Sequence, residues 1–295
     1  MSSLPLRPRC LTWGAAPSHD HHIINSLRQL ENTSSKQGSR ASARHLSIVM
    51  VRHLSIVLAR HVSIVLARHL PLVLAQPLIQ RVATGAWNPE RQPSDRENAD
   101  ALAARGYWLA FQLVRDIIRR ILVSGGEIDL LRSAHRDWYR KMFSPHVAVG
   151  LLTTSSLAGY RNHPVYLRGS RHVPPRSEVL REAMPALFDL IENEPAPSVR
   201  AALGHWLFGY VHPFPDGNGR IARFLMNALL AGGGYPWTVI RVEGRTEYLA
   251  ALETASVDSD VRPFAKFVAK QVRTTKVRSR PPRARRNRSK NRRSR

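Results

Sequence analysis

The 295-residue chain carries 45 Lys and Arg against 21 Asp and Glu, a formal net charge of +24, and 43% of its residues are hydrophobic. The charge sits at the ends: residues 1–80 hold a net +7, residues 81–272 only +5, and residues 273–295 hold 12 basic residues and no acid. The overall basicity is therefore no sign that the middle is a nucleic-acid-binding domain, and the single cysteine, Cys10, excludes an internal disulfide or a cysteine-based metal site.

Residues 1–80 read as an extension rather than a working domain. Met1 to Pro17 lack an apolar run of signal-peptide length, so the expected location is cytoplasmic. Residues 44–75 repeat with period eight (RHLSIVMV, RHLSIVLA, RHVSIVLA, RHLPLVLA), and an Arg-His pair in every copy argues against a membrane span.

A folded unit is expected over 94–272, an all-α bundle with one inserted β-hairpin. Ala110, Leu113, Val114, Ile117, Ile118 and Ile121 share one face of a first helix, which ends before Gly125-Gly126. Leu131, His135, Trp138 and Met142 mark a second. Val165 to Val173, broken by Gly169-Ser170 and closed by Pro174-Pro175, has the pattern of a hairpin. Ser177 is placed to cap a third helix bearing Val179, Leu180, Ala183, Leu187, Leu190 and Ile191. A fourth carries the stripe Val199, Leu203, Trp206, Leu207 and Tyr210, and a fifth carries Ile221, Phe224, Leu225, Ala228 and Leu229 up to the glycines at 232–234. Two more start near Thr246 and Ser259, the second with Val261, Phe264, Val268 and Val272. Residues 273–295 have almost no apolar content and read as a disordered basic tail, able to contact nucleic acid by counterion release.

The chemistry concentrates in His212-Pro213-Phe214-Pro215-Asp216-Gly217-Asn218-Gly219-Arg220-Ile221-Ala222-Arg223. This is a tight turn whose glycines precede a helix, so backbone N–H groups and the helix N-terminus form an anion site. Arg220 and Arg223, three apart, add donors suited to phosphate. Asp216 suggests Mg²⁺, and His212 is the natural general base. Such a set points to phosphoryl or nucleotidyl transfer.

These residues resemble the Fic family motif H-x-F-x-[D/E]-G-N-G-R-x-x-R at every defined position. Ala158 to Arg161 looks like the segment before the family's flap, Val165 to Pro175 like the flap, and Tyr235-Pro236 and Tyr248 to Leu252 like its continuation. The resemblance implies a Fic-fold bundle that attaches AMP from ATP to a Tyr, Thr or Ser hydroxyl of a target protein, with release of pyrophosphate. By the same resemblance His212 would be the base and Phe214 a buried anchor, with Asp216 holding Mg²⁺. Gly217, Asn218 and Gly219 would form the anion hole, with the Asn218 side chain near the α-phosphate. Arg220 and Arg223 would clamp the outer phosphates, Tyr248 would contact the nucleotide, and Tyr166, Leu167, Arg168, Gly169 and Ser170 would hold the target segment. Glycine at 219, where kinase-like members carry Lys, favours AMP; the alternatives are transfer of UMP or another phosphate-linked group, or a non-catalytic protein bound to nucleic acid through the basic tail. The family's self-inhibitory pattern [S/T]-x-x-x-E-[G/N] is missing, since Leu27, Pro93, Phe188 and Val239 stand four before Glu31, Glu97, Glu192 and Glu243. The chain is thus expected to be active in itself, or repressed by a separate antitoxin-like partner.

Overall fold

The computed structural model describes residues 96–278, with side chains from 100 to 275. The period-eight repeat and most of the basic tail lie outside them. Seven α-helices make up the described unit: α1 (Arg96–Ser124), α2 (Glu127–Ala148), α3 (Leu180–Asn193), α4 (Pro197–Val211), α5 (Asn218–Gly232), α6 (Arg245–Val257) and α7 (Arg262–Arg278). Short 3-10 turns occur at Thr154–Leu157, Ser177–Val179 and Val242–Gly244. Among the described residues there is no β-strand, and no helix is long and apolar enough to cross a membrane.

The centre is the pair α4–α5, with α1 and α2 packed on α5, α3 on α2 and α4, and α6 and α7 closing the other side. Ile221, Phe224, Leu225, Ala228 and Leu229 are fully buried, because α5 is surrounded by apolar neighbours. Two glycines allow close helix approach. A Cβ on Gly106 would lie 1.8 Å from the Met142 carbonyl oxygen, and one on Gly204 would lie 2.8 Å from Leu229 Cδ1.

Several sequence expectations change here. The stripe expected on α4 is only partly right: Leu203, Leu207 and Tyr210 are half-buried, while Ala201, Ala202, Gly204, His205 and Phe208 are buried. A central helix is covered on most sides, so its periodicity marks no single inner face. Val179, in the turn before α3, and Leu190 on it are exposed, and Met184 and Phe188 take core positions. Ser177 does not cap α3; it lies in the preceding 3-10 turn, its hydroxyl bonded to Glu178. The segment 165–173 turns at Gly169, φ +76°, without pairing its arms. Pro164, Pro174 and Pro175 flank it with no N–H to give a ladder, and donors at the tip are taken elsewhere. Finally, α7 runs to Arg278, past the boundary expected at 272.

Candidate active site

α4 ends at His212, which takes the left-handed conformation (φ 50°, ψ 58°) while its N–H still donates to Phe208 O at 3.0 Å. Such a non-glycine position costs about 1–3 kcal/mol and persists only where surrounding contacts enforce it. Here the enforcing group is Arg161. Its Nε donates to His212 O at 2.8 Å, its Nη1 to His163 O at 3.0 Å and its Nη2 to Pro175 O, while its backbone N–H donates to Pro213 O at 2.9 Å. One buried guanidinium thus ties both ends of the 165–173 segment to the start of the motif.

The ring of His212 is fixed as well. Nδ1 lies 3.2 Å from Gly209 O. A carbonyl only accepts, so Nδ1 carries the proton and Nε2 keeps its lone pair. Burial lowers the pKa of His212, opposed by the bond to Gly209 and assisted by Arg161. Burial and Arg161 both favour the neutral ring.

Phe214 is fully buried, stacked on Tyr139 at 4.0 Å between ring centres. Tyr160, also against Phe214, bonds through its hydroxyl to His135 Nε2 at 2.8 Å. The turn after Phe214 is closed by Asn218: its Oδ1 accepts the Phe214 N–H at 2.9 Å and its Nδ2 donates to Phe214 O at 2.7 Å. This corrects the expectation for Asn218. Its side chain is buried, committed to both backbone groups of Phe214, and does not line the cavity beside it. Gly217 has φ +80°, and a Cβ there would also meet the Phe143 ring at 3.0 Å. It shapes the turn rather than lining the cavity beside it.

That cavity, about 1160 Å³, is lined by His212, Asp216, Gly219, Arg223 and Tyr248 on one side and by Tyr166, Leu167, Arg168, Gly169 and Ser170 on the other. At the start of α5 the N–H groups of Asn218 and Gly219 have no intrahelical acceptor and the helix dipole adds partial positive charge. Arg223 and Tyr248 both line the cavity, and the Tyr248 hydroxyl meets His205 Nε2 at 2.9 Å. The two arginines expected to act together are split. Arg220 is absent from the cavity wall; its guanidinium lies 5.3 Å over the Phe143 ring, and its Nη2 bonds Asp216 Oδ2 at 3.0 Å. Arg220 thus orients Asp216, while Arg223 is the motif arginine that lines the cavity.

Among the described residues no group of three or more His, Cys, Asp or Glu could hold a metal. Asp216, 73% exposed at the cavity, is a lone carboxylate. That donor set suits Mg²⁺, which takes one or two carboxylates and completes its shell with phosphate oxygens and water.

Sequence reasoning passed over Arg161, His172, His205 and Glu253 as functional residues. Arg161 and His172 stood in segments quoted for their resemblance, and the other two had no local signal.

Residues 127–230 match the Fic/DOC family model. The protein adenylyltransferase Fic of Nematostella vectensis is 44% identical over 115 residues, 38% of this chain and 26% of that protein. The protein adenylyltransferase fic-1 of Caenorhabditis elegans is 39% identical over 114 residues, 37% of this chain and 22% of that protein. The match therefore spans about a quarter of the length of these relatives. The solved structure of Fic-1 (aa134 - 508) from C. elegans aligns with a TM-score of 0.62 at 23% identity, covering 89% of this chain and 72% of that one, a likeness of fold. A Fic family protein from Desulfovibrio desulfuricans G20 aligns with a TM-score of 0.55 at 18% identity, covering 90% and 76%. The stretch from α2 through α5, which holds the anion turn and its histidine, is thus the part of the chain similar to the Fic/DOC family.

Proposed function

We propose that this protein transfers AMP from ATP to a hydroxyl group of a target protein. The observation that carries the reading is the tautomer of His212: with Nδ1–H committed to Gly209 O, the lone pair of Nε2 remains on a ring that lines a cavity bounded by the α5 N-terminus. In the reaction the target oxygen bonds to the α-phosphorus of ATP and its proton passes to His212 Nε2. The bond from that phosphorus to the β-bridging oxygen breaks, and pyrophosphate leaves. The first N–H groups of α5 stabilise the charge on the reacting phosphate, and Arg223, on the cavity wall, holds the outer phosphates. Mg²⁺ held at Asp216 would supply neutralising charge to the phosphates.

Arg223 forms no salt bridge among the described residues, so an inhibitory carboxylate would have to come from a separate partner or from outside them. Relatives at 38–44% identity that bear the name protein adenylyltransferase support the choice of AMP. The test is incubation of the full chain with a cell lysate and ATP labelled at either the α- or the γ-phosphate. Relative to lysate alone, the chain is expected to add protein-bound label from the α-position only; added label from the γ-position would replace the reading with a kinase.

A further inference from the structure

The segment 165–173 crosses the cavity mouth with arms that do not pair, and the backbone groups of Val165, Tyr166 and Arg168 make no hydrogen bond among the described residues. An unpaired extended segment has many conformations, and holding it in one costs about 1–2 kcal/mol per residue fixed. Something must therefore fix its tip. Its two ends are joined by Arg161, as described, but Arg161 does not reach the tip.

The tip is held by one carboxylate on α6. Glu253 Oε2 accepts the hydroxyl of Ser170, and Oε1 accepts the backbone N–H of Arg171 at 2.8 Å. The Ser170 oxygen in turn accepts the His172 N–H at 3.1 Å, and the Ser170 N–H closes the turn onto Leu167 O at 3.1 Å. The Arg171 guanidinium adds ionic contacts, 3.6 Å to Glu253 and 3.8 Å to Asp258. The neighbouring His172 ring stacks on Tyr210 at 4.2 Å and places Nε2 2.9 Å from Tyr210 O, two residues from His212 in sequence. The donors at the tip are thus spent on α6, on α4 or within the turn itself, while the backbone groups of Val165, Tyr166 and Arg168 keep theirs.

We infer that Glu253 is a positioning residue, fastening the flap tip to α6 so that the free arm at 165–168 is held in register with His212 for a target backbone. The inference rests on the proposed transfer to protein hydroxyls. Ser170, expected to touch the target, instead belongs to this latch through its hydroxyl. A charged acceptor taking two donors is stronger than a neutral one, so Glu253→Gln should keep part of the latch and Glu253→Ala none of it.

The experiment uses the full chain and its Glu253→Ala, Glu253→Gln and Ser170→Ala variants with two readouts. Hydrogen exchange at the Arg171 amide reports the latch directly; at least a tenfold acceleration is expected in Glu253→Ala and a smaller one in Glu253→Gln and Ser170→Ala. Transfer from α-labelled ATP to lysate protein, over graded lysate concentrations, reports its role. The half-saturating lysate concentration should rise several-fold in Glu253→Ala and partly recover in Glu253→Gln, with ATP affinity by calorimetry unchanged. Exchange at Arg171 that is the same in all four proteins overturns the latch. Faster exchange with unaltered half-saturation, or an equal loss of ATP affinity, overturns the positioning role. A wild-type chain that transfers nothing overturns the functional reading and the positioning role with it, while exchange still decides whether Glu253 holds the tip.

Discussion

Replacing Asn218 by alanine separates two roles for the central residue of the Gly-Asn-Gly turn. The wild-type side chain satisfies both backbone groups of Phe214, at 2.9 and 2.7 Å, in a buried loop. Alanine would leave the Phe214 N–H and C=O without partners, and each buried polar group left unsatisfied costs about 1–3 kcal/mol. The two together amount to about 2–6 kcal/mol, a large share of the ~5–15 kcal/mol that holds a domain folded. For a domain of this size that is a fall in Tm of roughly 5–20 °C. Asn218→Asp should also be destabilised, because it keeps the acceptor for Phe214 N–H but sets a carboxylate against Phe214 O. The assay is thermal unfolding of the full chain beside calorimetric titration with Mg-ATP. An Asn218→Ala protein that melts within about 1 °C of wild type yet no longer binds ATP would refute the clamp and return Asn218 to direct phosphate contact.

Gly106→Ala should destabilise by about 1–3 kcal/mol or more in denaturant titration, since its Cβ would meet the Met142 backbone oxygen at 1.8 Å and α1 would have to leave α2. Stability should also fall on acidification. Burial lowers His135 to about 4 and His205 to about 3, so below the ordinary value of 6.5 the unfolded chain takes up protons that the folded one does not. The stability these neutral rings contribute is intact above pH 6.5 and lost as pH falls towards those values, at roughly 1 kcal/mol per pH unit for each. Unfolding midpoints compared at pH 7.5 and pH 5 check this, and equal midpoints would contradict it. Asp216→Asn should weaken ATP binding at least tenfold in Mg²⁺ and much less in EDTA by calorimetry; the same loss in both would deny Asp216 the metal.

Much of the site was legible because its chemistry is local. The segment from His212 to Arg223 is contiguous, and glycines before an amphipathic helix already define an anion turn. What stayed hidden depended on tertiary direction. Arg220 and Arg223 are three apart on one helix, yet the Phe143 ring and Asp216 draw the first away from the cavity. The Asn218 clamp needs the path of the turn, not its composition. Ser170 and Glu253 are separated by 83 residues, and nothing in either neighbourhood marks the other. The fold follows the same division. The inner face of α5 was readable from its period, whereas α4, covered on most sides, hid its deepest residues behind a stripe that is only half-buried.

The claim that His212 Nε2 takes the target proton is tested most directly by His212→Ala in the full chain, with transfer from α-labelled ATP to lysate protein measured beside ATP affinity and Tm. The account predicts that transfer falls at least a hundredfold while ATP still binds and the protein still folds, within the usual range for a lost general base of about 10²–10⁴. A folded His212→Ala protein that binds ATP and labels protein at the wild-type rate would contradict it.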